Sequence, residues 1–265
     1  MNQHPKAYDT LLFSTRDQVT TITLNRPDQA NGLNTQMAAE LADAAQQCTD
    51  DKRVKAVILT GTGRFFCAGG DVKSMAESAE RVTTTLKGLA DDLHKALSIF
   101  AHMDAPLIVA VNGTAAGAGF SVAIAGDLVL AAQAANFTMA YSKIGLSPDG
   151  GSSYHLPRLV GVRKAQELMF TNRVLTAQEA FEWGLINRVV PDERLLEEAQ
   201  KLAEMFASGA RESNSAIKRL LLQTFTNGLE TQLELEGRTI AQCAGSKDGR
   251  EGVAAFNEKR KAIFE

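Results

Sequence analysis

Along this chain, short runs of apolar, β-branched residues alternate with longer stretches in which apolar residues recur every three or four positions. Val19 to Leu24 alternates apolar residues with Thr, the pattern of a strand with one covered face. Asn25-Arg26-Pro27 then turns the chain, and an amphipathic helix is predicted from about Thr35 to Cys48. Val54 to Thr60 reads as a buried strand ending at Gly61-Thr62-Gly63. Leu107 to Val111, bounded by Pro106 and by Asn112-Gly113, has no polar alternation, which predicts a strand covered on both faces. Asp127 to Ala132 and Asn187 to Val190 are two further strands. Helical spacing marks about Glu77 to Met103 through Leu86, Leu89, Leu93, Leu97 and Phe100, and Asp104-Ala105-Pro106 ends it. Shorter helices are predicted over Phe120 to Ala125, Arg163 to Thr171 and Thr176 to Gly184. From Asp192 onward only helical patterns occur: Glu193 to Ala207, Glu212 to Thr226, Leu229 to Ala244 and Gly249 to Phe264. Strands alternating with helices, then helices alone, predict an α/β core with a mixed sheet over 1–191 and a helical C-terminal region over 192–265.

Two stretches carry almost no side-chain bulk. Asn112 to Ser121 holds Gly113, Gly117 and Gly119 among alanines directly after the central strand, and Phe65 to Asp71 holds Gly69 and Gly70. Glycine admits close approaches that a Cβ forbids, and a helix starting after such a corner leaves its first N–H groups without intrahelical acceptors. Asp71 is placed to cap the helix that follows it. Each corner can therefore offer backbone donors to an oxyanion.

Ala110-Val111-Asn112-Gly113-x-Ala115-Ala116-Gly117-x-Gly119, followed by Ala123-x-x-Gly126-Asp127, resembles the enoyl-CoA hydratase/isomerase, or crotonase, family. The same resemblance is carried by Leu24-Asn25-Arg26-Pro27, Phe66-Cys67-Ala68-Gly69-Gly70-Asp71, Glu182-Trp183-Gly184-Leu185-Ile186 and Val189-Val190. Arg250-Glu251-Gly252-Val253-Ala254-Ala255-Phe256 with Lys259-Arg260 completes it, in the family's order over nearly the whole chain. It implies a crotonase (ClpP-like) β-β-α spiral core whose C-terminal helices serve oligomerisation, as a homotrimer or a dimer of trimers. It also implies an acyl-CoA substrate, coenzyme A entering as part of that substrate, and no covalently bound cofactor.

Position by position, the resemblance puts the two oxyanion donors on Gly70, or its neighbour Ala68, and on Ala118. It places coenzyme A contacts, mostly backbone, near Arg26, around Asn31-Gly32-Leu33, along Ala68, Gly69 and Asp71, and at Gly117. Phe256 and Lys259 match residues that reach a neighbouring subunit's coenzyme A. The family's hydratases hold a water between two glutamates, and those positions are Ser121 and Tyr141 here. Without that carboxylate pair, hydration of a 2-enoyl-CoA is disfavoured. Pro148-Asp149-Gly150 would be an ordinary β-turn in an arbitrary chain, but its Asp149 matches the single acid/base of the phenylacetate-type isomerase branch. Tyr141, Asp149 and the Arg163 to Met169 segment also resemble the 4-chlorobenzoyl-CoA dehalogenases, in which the matching Asp attacks the ring and a His at the place of His94 is the base.

Composition narrows the remaining classes. The formal charge of −3 arises from 28 basic and 31 acidic residues without a single-sign block, which advertises neither a nucleic-acid groove nor a basic membrane face. Three cysteines, widely spaced, give neither a disulfide framework nor metal-ligand spacing. His4, His102 and His155 show no paired ligand spacing either, so no metal is expected. Residues 1–10 are polar, and no run of about 18 apolar residues occurs, so a cytoplasmic protein is expected. Gly113, Gly117 and Gly119 do not form G-x-G-x-x-G, and no Walker Lys-Ser/Thr occurs. Gly119-Phe120-Ser121 approximates a nucleophile elbow, with no acid and His order behind it. A catalytically inert binding protein on the same fold is the remaining alternative, and a closed apolar pocket around Asp149 would speak against it.

Overall fold

The computed structural model describes residues 7–73 and 81–264. Among the described residues, ten strands form two sheets. The larger has the order β1 (Leu11–Arg16), β2 (Val19–Leu24), β3 (Ala56–Gly61), β5 (Leu107–Val111), β7 (Leu128–Ala132) and β10 (Arg188–Val190). The smaller has the order β4 (Phe65–Cys67), β6 (Thr114–Ala116), β8 (Asn136–Thr138) and β9 (Leu175–Thr176). Three times in succession, a strand of the large sheet is followed by a short strand of the small one: β3 to β4, β5 to β6, β7 to β8. Within each sheet those successive strands pair in parallel. This repeat is the expected β-β-α spiral, and it sets the two glycine-rich corners side by side.

The helices are α1 (Thr35–Asp50), α2 (Val82–His102), α3 (Ala118–Ile124), α4 (Ser152–Val160), α5 (Val162–Thr171), α6 (Ala177–Glu182), α7 (Leu195–Ala207), α8 (Arg211–Gln223), α9 (Leu229–Gly245) and α10 (Lys247–Asn257). The predicted strands and helices fall within a few residues of these ranges. The start of the helix expected from Glu77, and most of the helix that Asp71 was expected to cap, lie outside the described residues. Gly249 to Phe264 is helical only to Asn257.

Strand β1, the short strands of the second sheet and α4 had no predicted counterpart. β1 is an edge strand of which Leu11 alone is buried. It joins β2 antiparallel through Asp17-Gln18, both at positive φ (48° and 67°), as a two-residue hairpin loop needs. α4 contains Pro157, which removes one intrahelical donor.

Leu107 to Val111 is fully buried, as its uninterrupted apolar character requires. Phe66, Phe100, Phe120 and Phe137 are buried side chains of the core, and Phe120 of α3 meets Phe137 of β8 edge-on at 6.3 Å. Fully burying one such ring is worth about 1.5–3 kcal/mol. α7 lies against β3 and β5 of the large sheet, although it belongs to the C-terminal helical region. α8 is anchored by Lys218, whose Nζ donates to the carbonyls of Phe100 (2.8 Å) and Ala105 (3.1 Å) and pairs with Asp127 (2.8 Å). Burial lowers the Lys218 ammonium below its ordinary range, and Asp127 opposes that shift.

Near the N-terminal edge, buried Glu40 receives the amides of Asp9 (3.0 Å) and Thr10 (2.9 Å), the Thr10 hydroxyl (2.5 Å) and the Gln36 amide (2.7 Å). Burial alone would raise its carboxyl, but the donors from Thr10, Gln36 and Asp9 outweigh it and hold the group below the usual value. A folded-state value below the unfolded one adds stability that is present above the unfolded value of about 4.3 and is lost as pH falls through the folded value. Glu40→Gln is therefore expected to cost about 1–2 kcal/mol at neutral pH and to flatten the acid limb of stability. Urea unfolding at a series of pH values checks this, and an unchanged acid slope in the variant would refute it.

Candidate active site

The corners converge because their strands pair. Phe65 lies opposite Thr114 and Cys67 opposite Ala115. Gly69 (φ +105°) and Gly117 (φ +51°, ψ −126°) sit where these strands end. A Cβ on Gly69 would meet the Ala116 carbonyl at 3.0 Å and the Gly117 Cα at 3.5 Å, so the two backbones touch. A Cβ on Gly119 would lie 2.1 Å from the Cys67 carbonyl, which presses the first turn of α3 onto β4. Burial pushes the Cys67 thiol up to about 12, so it stays protonated and is no nucleophile.

The two candidates for the first donor differ in what their N–H groups already bond. The Ala68 N–H is committed to the Ala30 carbonyl at 3.0 Å. The Gly70 N–H makes no such bond among the described residues, because the Leu33–Gly70 bridge runs through the Gly69 carbonyl and the Asp71 amide. Ala118 is the first residue of α3, so its N–H lies outside the helical ladder.

The loop facing the first corner is held by residues expected at the coenzyme. Arg26 pairs with Asp71 at 2.9 Å and donates to the Gly32 carbonyl. Asn31 is fully buried; its Nδ2 donates to the Thr62 and Phe65 carbonyls (2.9 and 2.8 Å), and its Oδ1 accepts the Arg26 amide (2.9 Å). The Asn31 side chain is thus a brace for the loop, while Ala68 is exposed beside it. Phe256, in the last turn of α10, is 84% exposed, and Lys259 follows at φ +55°. Among the described residues, no hydrogen bond or ion pair ties either of them to the corners.

Behind the second corner a polar cluster forms around Asp149. The Tyr141 hydroxyl donates to Asp149 Oδ1 at 2.5 Å. Burial, together with the Asp149 charge and this bond, pushes the tyrosine pKa upward, so it remains a donor. Ser121 Oγ donates to the Asp149 carbonyl (2.9 Å) and lies 3.1 Å from the Tyr141 hydroxyl. Asp149 is 26% exposed, and its Oδ2 lies 3.8 Å from His94 Nε2. That nitrogen accepts the Gly150 N–H at 3.0 Å, which engages its lone pair. Ser152, not anticipated from sequence, also donates to the Asp149 carbonyl at 2.9 Å. Its one signal was its place two residues after the Pro-Asp-Gly turn.

Elsewhere, a cleft of about 240 Å³ lined by Asp104, Arg211, Arg219 and Cys243, among others, shares no residue with this cluster. Among the described residues, no group of three His, Cys, Asp or Glu side chains is placed to hold a metal ion. No helix among them is long and apolar enough to cross a membrane.

Chemically, the arrangement offers a carboxylate with Oδ1 engaged by Tyr141 and Oδ2 without a hydrogen-bond donor among the described residues. Comparison with known proteins fits this geometry. The chain is 42% identical over 255 residues to the 1,2-epoxyphenylacetyl-CoA isomerase of Escherichia coli (strain K12), covering 93% of this chain and 94% of that protein. It is 32% identical over 259 residues to the crotonyl-CoA hydratase of Syntrophomonas wolfei, covering 97% and 98%. The crystal structure of an enoyl-CoA hydratase from Polaromonas sp. JS666 superposes with a TM-score of 0.92 at 32% identity, covering 96% of this chain and 99% of that one. Residues 14–265 match the family model described as enoyl-CoA hydratase/isomerase; with the two corners and the spiral core that forms them, this chain belongs to that family.

Proposed function

We propose that the protein isomerises an acyl-CoA thioester of the 3-enoyl or unsaturated-ring type, with Asp149 as its sole acid/base and the Gly70 and Ala118 N–H groups as oxyanion donors. The observation that carries this reading is the cluster of Ser121, Tyr141 and Asp149. The two positions at which the family's hydratases hold water with glutamates carry a serine and a tyrosine, and both hydrogen-bond to the Asp149 residue. The isomerase named among the relatives supports the same reaction class.

A proton α to a thioester is too weakly acidic for a carboxylate unless charge on the carbonyl oxygen is stabilised as it develops. One positioned donor is worth about 3–4 kcal/mol to such a step. With Oδ1 engaged by Tyr141, Oδ2 is the atom that takes the C2 proton. The C2–H electron pair passes into the dienolate, whose oxygen rests between the two N–H groups. The same carboxyl then returns the proton to C4, and the double bond moves from the 3,4 to the 2,3 position. One carboxylate suffices because no proton is gained or lost overall.

On this reading, hydration of crotonyl-CoA is expected to be slow, well below the enzyme median of about 10 per second. A panel of 3-enoyl-CoA and aryl-acyl-CoA thioesters, with crotonyl-CoA as comparison, tests it; conjugated thioester formed from a 3-enoyl-CoA is the supporting result. Robust hydration of crotonyl-CoA without isomerisation would overturn it. The nearness of His94 to Asp149 favours a second reading, aryl-CoA dehalogenation with attack by Asp149, and an aryl ester trapped on Asp149 would establish that instead.

Exposed Leu221, Leu229, Leu233 and Ile240 on the C-terminal helices, with Phe225 in the turn between two of them, support assembly as a homotrimer or a dimer of trimers. Phe256 and Lys259 would then reach the coenzyme A held by a neighbouring copy.

A further inference from the structure

The peptide unit joining Asp149 to Gly150 is gripped at both ends. Its carbonyl accepts Ser121 Oγ of α3 and Ser152 Oγ of α4, each at 2.9 Å. Its N–H is donated to His94 Nε2 of α2 at 3.0 Å. The turn that follows has no slack, since Gly150 (φ +60°) and Gly151 (φ +73°) are both left-handed. A Cβ on Gly150 would lie 2.8 Å from the Ser121 Cβ. Fixing this peptide plane fixes ψ of Asp149, and the Tyr141 hydroxyl then holds one oxygen of the carboxylate.

The geometry points to His94 as a positioning residue: its neutral imidazole, protonated on Nδ1, accepts the Gly150 amide and so holds the Asp149 carboxylate where the proton transfer needs it. This rests on Asp149 being the base. The base role that the dehalogenase resemblance gives His94 requires a free Nε2 lone pair, and here that lone pair is occupied by the Gly150 N–H. A misplacement of about 1 Å in a reacting group can cost 10²-fold, so a modest contact made through a backbone amide can carry a large kinetic effect.

Three measurements test the assignment. In the first, His94→Leu removes the acceptor and is expected to lower kcat about 10- to 100-fold with KM within about threefold. His94→Gln, whose amide oxygen can accept the same N–H, recovers most of that loss. In the second, His94→Leu in an Asp149→Asn background adds less than about threefold, because its effect passes through Asp149. An equal loss in both backgrounds would overturn the proposal, since it would mark a general structural role. In the third, ¹⁵N spectra of the imidazole in the unmodified protein show Nε2 unprotonated and Nδ1 protonated. A protonated Nε2 overturns the clamp whatever the reaction is. Full activity of Asp149→Asn would instead defeat the reaction assignment, and it would take this role of His94 with it while leaving the spectrum unchanged.

Discussion

Asp149→Asn is expected to lower isomerase turnover by about 10²–10⁴-fold, the usual worth of a positioned general base. The amide keeps the shape of the side chain, and its oxygen can still accept the Tyr141 hydroxyl now bonded to Oδ1 at 2.5 Å. What it loses is the lone pair and charge at the Oδ2 position that would take the C2 proton. Circular dichroism should be unchanged, and calorimetry should still report acyl-CoA binding, because neither proposed oxyanion donor belongs to this side chain. Steady-state kinetics on a 3-enoyl-CoA substrate decides the matter. A variant within about tenfold of the parent would lie outside the range for a base and would move the acid/base elsewhere.

Ala118→Pro is the second substitution with a large expected effect. An oxyanion donor on the backbone cannot be removed by trimming a side chain, but proline deletes the N–H itself. Ala118 is the first residue of α3, the position at which proline fits a helix best, since its N–H has no intrahelical acceptor and its φ is already suited. Gly117 precedes it, and glycine is the residue least troubled by a following proline ring. The expected loss is about 10²–10³-fold in kcat, with a thermal unfolding midpoint close to that of the parent. KM is expected to change less than kcat, because the donor gains most of its strength as the carbonyl oxygen becomes charged. Turnover near that of the parent would show that the enolate oxygen rests elsewhere.

Much of this architecture is legible in the sequence, for a physical reason. Leu107 to Val111 is apolar without interruption because both faces are covered, and α2 shows its buried stripe at Leu89, Leu93, Leu97 and Phe100. Elements of three residues have no such signature. β4, β6 and β8 are too short for any periodicity, so the second sheet, which sets the corners together, was visible only as a scatter of glycines. β1 was hidden by its turn, where Asp17-Gln18 takes the left-handed conformation usually signalled by Asn-Gly. What distinguishes the Ala68 N–H from that of Gly70 is a carbonyl 38 positions away in sequence from Ala68, that of Ala30. The grip on the 149–150 peptide unit joins backbone atoms to side chains on three helices, and backbone groups are the same in every sequence.

The position of α7 bears on how the chain is made. The large sheet gains its last strand at Arg188–Val190, yet Leu195–Ala207, which lies against β3 and β5, follows later in the chain. Lys218 must arrive later still before Asp127 and the Phe100 and Ala105 carbonyls find their partner. During synthesis a nascent polypeptide ending just after β10 therefore holds all six strands of the large sheet without the helix that packs on β3 and β5, the kind of species that aggregates or recruits a chaperone. Ribosomal pausing would do least harm before β5 has emerged or after α8 has docked.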